Sequence, residues 1–277
     1  MPTIAQEAWA AAQKARRAQR ERFTRARNAE IQYGAQIRRI ADQIGLLASA
    51  FNPEDPASAA GIEQMLKEYS RIIAPWARNT ANRMLADVAK RDEKMWFEQS
   101  AEIGRNLREE IAEAPTGQIM QRLLDEQVTL ITSLPLEAAQ RVHELALRGI
   151  TEGSRGGDIY QMIMASGEVA KSRATLIART ETARTASVLT QARAEWIGSD
   201  GYIWRNVGDA DVRPHIGIKG FARLNTLKLG SHRKLEGTFQ RWDSPPIASE
   251  NGKRMHPGCI YNCRCYAEVV IPRERAA

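Results

Sequence analysis

The spacing of apolar residues constrains this chain more than any other feature. Up to about residue 197 they recur on alternating three- and four-residue steps, the period of helices with one buried face. Phe23, Ala26, Tyr33, Ile37, Ile40, Ile44, Leu47 and Phe51 form such a stripe. It predicts one long helix over residues 8–51, with the narrow seam of a coiled coil or helical hairpin. Asn52-Pro53-Glu54-Asp55-Pro56 breaks that helix, and Asp55 is placed to cap the next one with Pro56 as its first residue.

The second helix should bury Ile62, Met65, Leu66, Tyr69, Ile72, Ile73 and Trp76 on one face, and Pro75 should kink or end it. A third runs to about Glu113, with Met84, Leu85, Val88, Met95, Trp96, Ile103, Leu107 and Ile111 on its apolar side. Pro115-Thr116-Gly117 reads as a turn. Two shorter helices follow, over 119–131 and 136–150, separated by Ser133-Leu134-Pro135. Met and Trp at this spacing are core residues rather than a cofactor box.

Gly153-Ser154-Arg155-Gly156-Gly157 is the clearest boundary in the sequence. Asp158 then caps a short helix over 159–165, stopped by Ser166-Gly167, and the helix carrying Arg179 ends near Gly198. After Gly201 the helical period disappears and Gly, Pro, Asn and Asp become frequent. Strands are expected over 202–207, 238–242 and 265–271. The fold class is therefore mainly α, an elongated helical N-terminal region (1–152) followed by a small α+β C-terminal module (153–277).

At 277 residues the chain can build one large domain or two smaller ones. No apolar run approaches the roughly 18 residues that span a bilayer, and the N-terminus has no secretory signal, which points to a cytoplasm. The net charge of +7 favours an anionic partner. The excess is uneven: Lys14, Arg16, Arg17, Arg20, Arg22, Arg25 and Arg27 face only Glu21 in their stretch. That run reads either as a phosphate-binding helix or as a solvated face.

Three groups of residues could carry chemistry. Glu181 lies near Arg179 and three residues before Arg184, so its carboxylate can hold a guanidinium on a helix. Asp209, Asp211 and His215 could bind a divalent metal or do acid/base work. The plainer reading is a turn whose carboxylates bond local N–H groups and Arg213. Neither an HExxH nor a G-x-S-x-G motif occurs. Finally, His256, Cys259, Cys263 and Cys265 offer one nitrogen and three sulfurs, a donor set for zinc, with His215 as a substitute for His256. The plainer reading there is buried, apolar cysteines. Three cysteines so close together do not form a disulfide scaffold.

Taken in order, these residues resemble the phage Mu F-type head morphogenesis, or minor capsid, family. The similarity runs over residues 153–271. It is carried by Ile177-Ala178-Arg179-Thr180-Glu181-Thr182-Ala183-Arg184, Trp204, the stretch with Asp209, Asp211, Arg213 and His215, Gly220, and Asn262-Cys263-Arg264-Cys265. The resemblance implies a non-catalytic structural protein of a tailed phage. Such proteins join the capsid interior in few copies, associate with the portal and capsid or scaffold, and can leave the head with the DNA. A basic helical arm suits contact with packaged DNA or an acidic portal surface. The competing expectations are a metal-dependent nuclease or other enzyme using Asp209, Asp211, His215 and the cysteines, and a free nucleic-acid-binding protein using Arg16 to Arg27.

Overall fold

The structure is a computed structural model that describes residues 27–52, 55, 57–103, 111–152, 156–206, 232–249 and 252–272. It is mainly α, with a small α+β module near the C-terminus. The helices are α1 (27–48), α2 (Ala57–Ile72), α3 (Ala74–Ile103), α4 (Thr116–Glu152), α5 (Gly156–Met164), α6 (Ser166–Trp196) and the short α7 (His232–Leu235). The strands are β1 (Gly201–Arg205), β2 (Phe239–Arg241) and β3 (Tyr266–Val269).

The described helices follow the apolar period. In α1, Tyr33, Ile37, Ile40 and Ile44 are buried, with Ala29, Ala41 and Ala48 beside them. Phe23 and Ala26, which would extend the stripe, lie outside the described residues. Asp55 caps α2 as expected: its Oδ1 accepts the Ala57 N–H at 3.0 Å. Met65 and Ile72 are corrections. They are 41% and 66% exposed, because the buried row of α2 is narrow and runs through Ala59, Ile62, Leu66 and Ser70.

Prolines act differently at two places. Pro75 ends α2 as expected and sits in the first turn of α3, where a missing N–H costs nothing. Pro135 does not separate two helices: α4 runs unbroken through it for 37 residues. Burial holds it together, since Ile131, Leu134, Ala138, Ala139 and Val142 all lie in the core on either side. Neighbouring carbonyls also find partners. Ser70 donates to the Thr132 carbonyl at 2.7 Å and Ser133 to that of Leu130 at 2.9 Å. These contributions outweigh the roughly 3 kcal/mol that a helix-interior proline costs.

The described residues fall into two compact units that interleave along the chain. One takes 31–85 and 120–179; the other takes 27–30 with the described parts of 86–119 and 180–277. The boundary expected after residue 152 is therefore not where the units part. Residues 156–179 pack with the helices, whereas 86–103 and 180–196 pack with the strands.

The first unit is wholly helical. Tyr33 donates to Gln127 Oε1 at 2.8 Å, both side chains buried. At the approach of α1 to α6, a Cβ on Gly167 would stand 2.8 Å from the Gly45 Cα, so only glycine fits.

The second unit holds the sheet, in the order β2-β1-β3, with both pairs antiparallel. Alternation along β1 sends Tyr202 and Trp204 into the core, where both are fully buried with Trp96 and Trp242. The turn into β1 is a Schellman motif. Gly198 has φ 78°, its N–H bonds the Glu195 carbonyl at 3.1 Å, and the Ser199 N–H bonds that of Ala194 at 2.9 Å.

Candidate metal centre

The turn that precedes β3 is docked on α6. The Asn262 N–H donates to the Thr180 hydroxyl at 3.1 Å, and the Cys259 thiol to the Ser187 hydroxyl at 3.4 Å. Gly258 has φ 83°, and a Cβ there would stand 2.9 Å from the Ala183 carbonyl oxygen. Asn262 also takes a left-handed φ of 58°, which asparagine tolerates better than most residues. On the same helix Arg184 donates to Glu181 at 3.0 Å, and Glu181 is buried. Glu181 and Arg184 thus form the ion pair that their spacing allows. Arg179 and Arg264 are half-buried. Trp204 packs in the core of the sheet.

This turn brings Cys263 and Cys265 to His232, the first residue of α7. The sulfur of Cys263 lies 3.6 Å from His232 Nδ1 and that of Cys265 lies 3.5 Å away. The three side chains are buried, at 4%, 5% and 2% exposure in the order Cys263, Cys265, His232. His232 Nε2 lies 2.9 Å from the Ala248 carbonyl. A carbonyl only accepts, so Nε2 carries the proton, and in the neutral ring Nδ1 turns its lone pair to the sulfurs. The ring is fixed edge-on to Trp204, with centroids 5.3 Å apart.

The two thiols do not ionise alike. The Cys265 thiol beside it holds Cys263 well below the usual thiol range, against burial and with help from His232. Cys265 is pushed up by that same hydrogen bond and by burial. The Cys265 N–H donates to the Cys263 sulfur at 3.4 Å. The Trp204 indole pulls the Cys265 thiol slightly back toward its ionised form.

The expected ligand quartet is thus corrected. His256 and Cys259 are not in the group. His256 Nδ1 lies 3.1 Å from the Tyr202 hydroxyl, and its ring packs on Trp242 with centroids 5.4 Å apart. Burial pushes the His256 pKa down and that of the Cys259 thiol up. His232 was missed. It stands in Ser231-His232-Arg233-Lys234, which reads as a solvated basic turn. The spacing of Cys263 and Cys265 held a usable signal, because residues two apart in extended chain face the same way.

Asp209, Asp211, Arg213 and His215 lie outside the described residues, as do Lys14, Arg16, Arg17, Arg20, Arg22 and Arg25; Arg27 is exposed on α1. A second buried polar group escaped the sequence reading altogether. Asp92 of α3 accepts from Arg193 and Thr190 of α6, with 3% of the Asp92 side chain and 7% of that of Arg193 exposed. Burial pushes the Asp92 carboxyl up, and Arg193 pulls it back.

Comparison with known proteins adds little detail. No family model matches the chain, and no solved structure matches it. A protein of Haemophilus influenzae described as "Uncharacterized protein" is 28% identical over 138 residues. That match takes in 50% of this chain and 26% of the relative, so the chain spans about a quarter of its length. Among the described residues no helix is long and apolar enough to cross a membrane.

Proposed function

We propose that this chain is a minor capsid, or head morphogenesis, protein of a tailed phage. It works by contact rather than turnover, inside the capsid beside the portal, with packaged DNA as a further partner. The observation that carries this is the inward bonding of the motif residues. Thr180 and the Glu181–Arg184 pair of α6 are spent on bonds within the fold, and Thr180, with Ser187 one turn beyond the motif, fastens the cysteine turn to the helix. A motif used this way builds a scaffold. The ion of this scaffold is zinc, seated in the cysteine turn, where a buried His/Cys/Cys group supports it.

The test is co-purification. Tagged full-length chain, expressed with the portal and capsid proteins of its phage, should be recovered with portal oligomers or filled heads. Recovery as a free protein from heads that assemble normally without it would overturn the assignment. So would a divalent-metal-dependent nuclease activity abolished by Asp211→Ala.

A further inference from the structure

We propose that His232, Cys263 and Cys265 are three ligands of one zinc ion, bound through Nδ1 and two thiolate sulfurs, in place of the quartet that the sequence suggested. This deepens the zinc reading above and does not depend on the capsid role.

Geometry is the first support. Zinc sits about 2.1 Å from imidazole nitrogen and about 2.3 Å from thiolate sulfur. At tetrahedral angles those lengths place nitrogen and sulfur about 3.6 Å apart. The two nitrogen–sulfur separations here are 3.6 and 3.5 Å. A simple hydrogen bond does not explain both, because the single lone pair on Nδ1 accepts one thiol proton. Equal approach of two sulfurs to one nitrogen is what a shared cation requires.

The surroundings are the second support. The ring nitrogen opposite the site donates to the Ala248 carbonyl at 2.9 Å. Such a bond to the far nitrogen is the usual means of fixing the tautomer and aim of a metal-binding histidine. An N–H group also points at sulfur: the Cys265 amide reaches the Cys263 sulfur at 3.4 Å. A donor aimed at sulfur favours its thiolate. All three ligands are buried, so paired thiolates there need a cation to offset their charge. As the ion enters, the thiol protons still present leave to solvent.

The donor set selects the ion. Two soft sulfurs with one imidazole suit zinc and disfavour magnesium or calcium, which take oxygen. Three ligands leave the fourth tetrahedral corner to water or another donor. The site ties α7, at the far end of the segment that follows β1, to the turn that leads into β3. It is therefore a structural clamp across the sheet.

The experiment uses the full-length chain. It should purify with one zinc ion per chain by elemental analysis. Exchange for Co2+ should give the near-ultraviolet band of sulfur-to-cobalt charge transfer and the intense visible bands of a tetrahedral site. X-ray absorption of the zinc form should report two sulfur neighbours. Cys263→Ser and His232→Ala should each lose the ion, while Cys259→Ser and His256→Gln keep it. The proposal is overturned if the wild-type chain binds neither Zn2+ nor Co2+, or if its cobalt form lacks the thiolate band. Loss of the ion in Cys259→Ser with retention in Cys263→Ser would also overturn it. The spectra of the wild-type chain decide the matter even where a variant fails to fold. A negative result leaves portal association untouched, since that is read from separate material.

Discussion

Cys259, Cys263 and Cys265 lie within seven residues of one another, yet their neighbours give them different chemistry. Cys259 faces a hydroxyl on α6, and burial keeps it a thiol. The other two share a histidine, and the hydrogen bond between them favours ionisation of Cys263. His256 shows the same dependence on place. Burial holds its folded pKa below the ordinary value of about 6.5, outweighing the pull of Glu195. The unfolded chain therefore takes up the proton first as pH falls. The stabilising contribution of neutral His256 is full above about pH 6.5 and is lost progressively as pH drops toward the folded value. Denaturant midpoints measured from pH 8 to pH 5 should fall more steeply for wild type than for His256→Gln. Parallel curves for the two proteins would show that the ring titrates as freely folded as unfolded.

Among the elements, α4 and α6 depart furthest from simple amphipathic helices. In α4 the core contacts on both sides of Pro135 hold a single rod where local preference calls for a break. Pro135→Ala restores an N–H able to reach the Ile131 carbonyl and removes the ring. It should raise stability by about 1 to 3 kcal/mol, read as a shift in denaturant midpoint with an unchanged slope. A loss of stability would mean that the proline ring itself contributes to packing. α6 is unusual in another way: the face it buries includes Thr180, Glu181, Thr182, Thr185, Ser187, Thr190 and Arg193. Its buried side is marked by hydroxyls and ions, so an apolar stripe is a poor guide to it. The same polar face receives the cysteine turn and the Asp92 carboxylate, both in the second unit.

At the scale of the molecule, the two units draw on separated stretches of chain. Their divisions fall inside α1, α3, α4 and α6, near residues 30, 85, 119 and 179, and not at the glycine run after residue 152. A composition change marks a flexible joint; a helix that passes from one set of neighbours to another has no such mark. The uneven charge also belongs to this scale. If the basic N-terminal run is the contact with DNA or an acidic portal face, affinity should fall steeply between 50 and 200 mM salt. Neutralising Arg16, Arg17, Arg20 and Arg22 together should weaken binding and flatten the salt slope, measured by fluorescence anisotropy. Undiminished binding by that variant would place the contact elsewhere.

The sequence alone determined most of what depends on neighbours close in the chain. The helical period of α1, the Asp55 cap, the stop at Pro75, the glycine that ends α6 and the three short strands are all set within a few residues. Periodicity and turn chemistry therefore disclose them. Tertiary structure decided what depends on distant partners. Nothing near Pro135 announces the core that carries α4 past it, and nothing near Asp92 announces Arg193. His232 stands 31 residues before Cys263, and only the folding of the sheet brings its ring to the two sulfurs. Thiols and imidazoles act over a few ångströms, so residue spacing narrowed the candidates, and packing chose which histidine faces the cysteines.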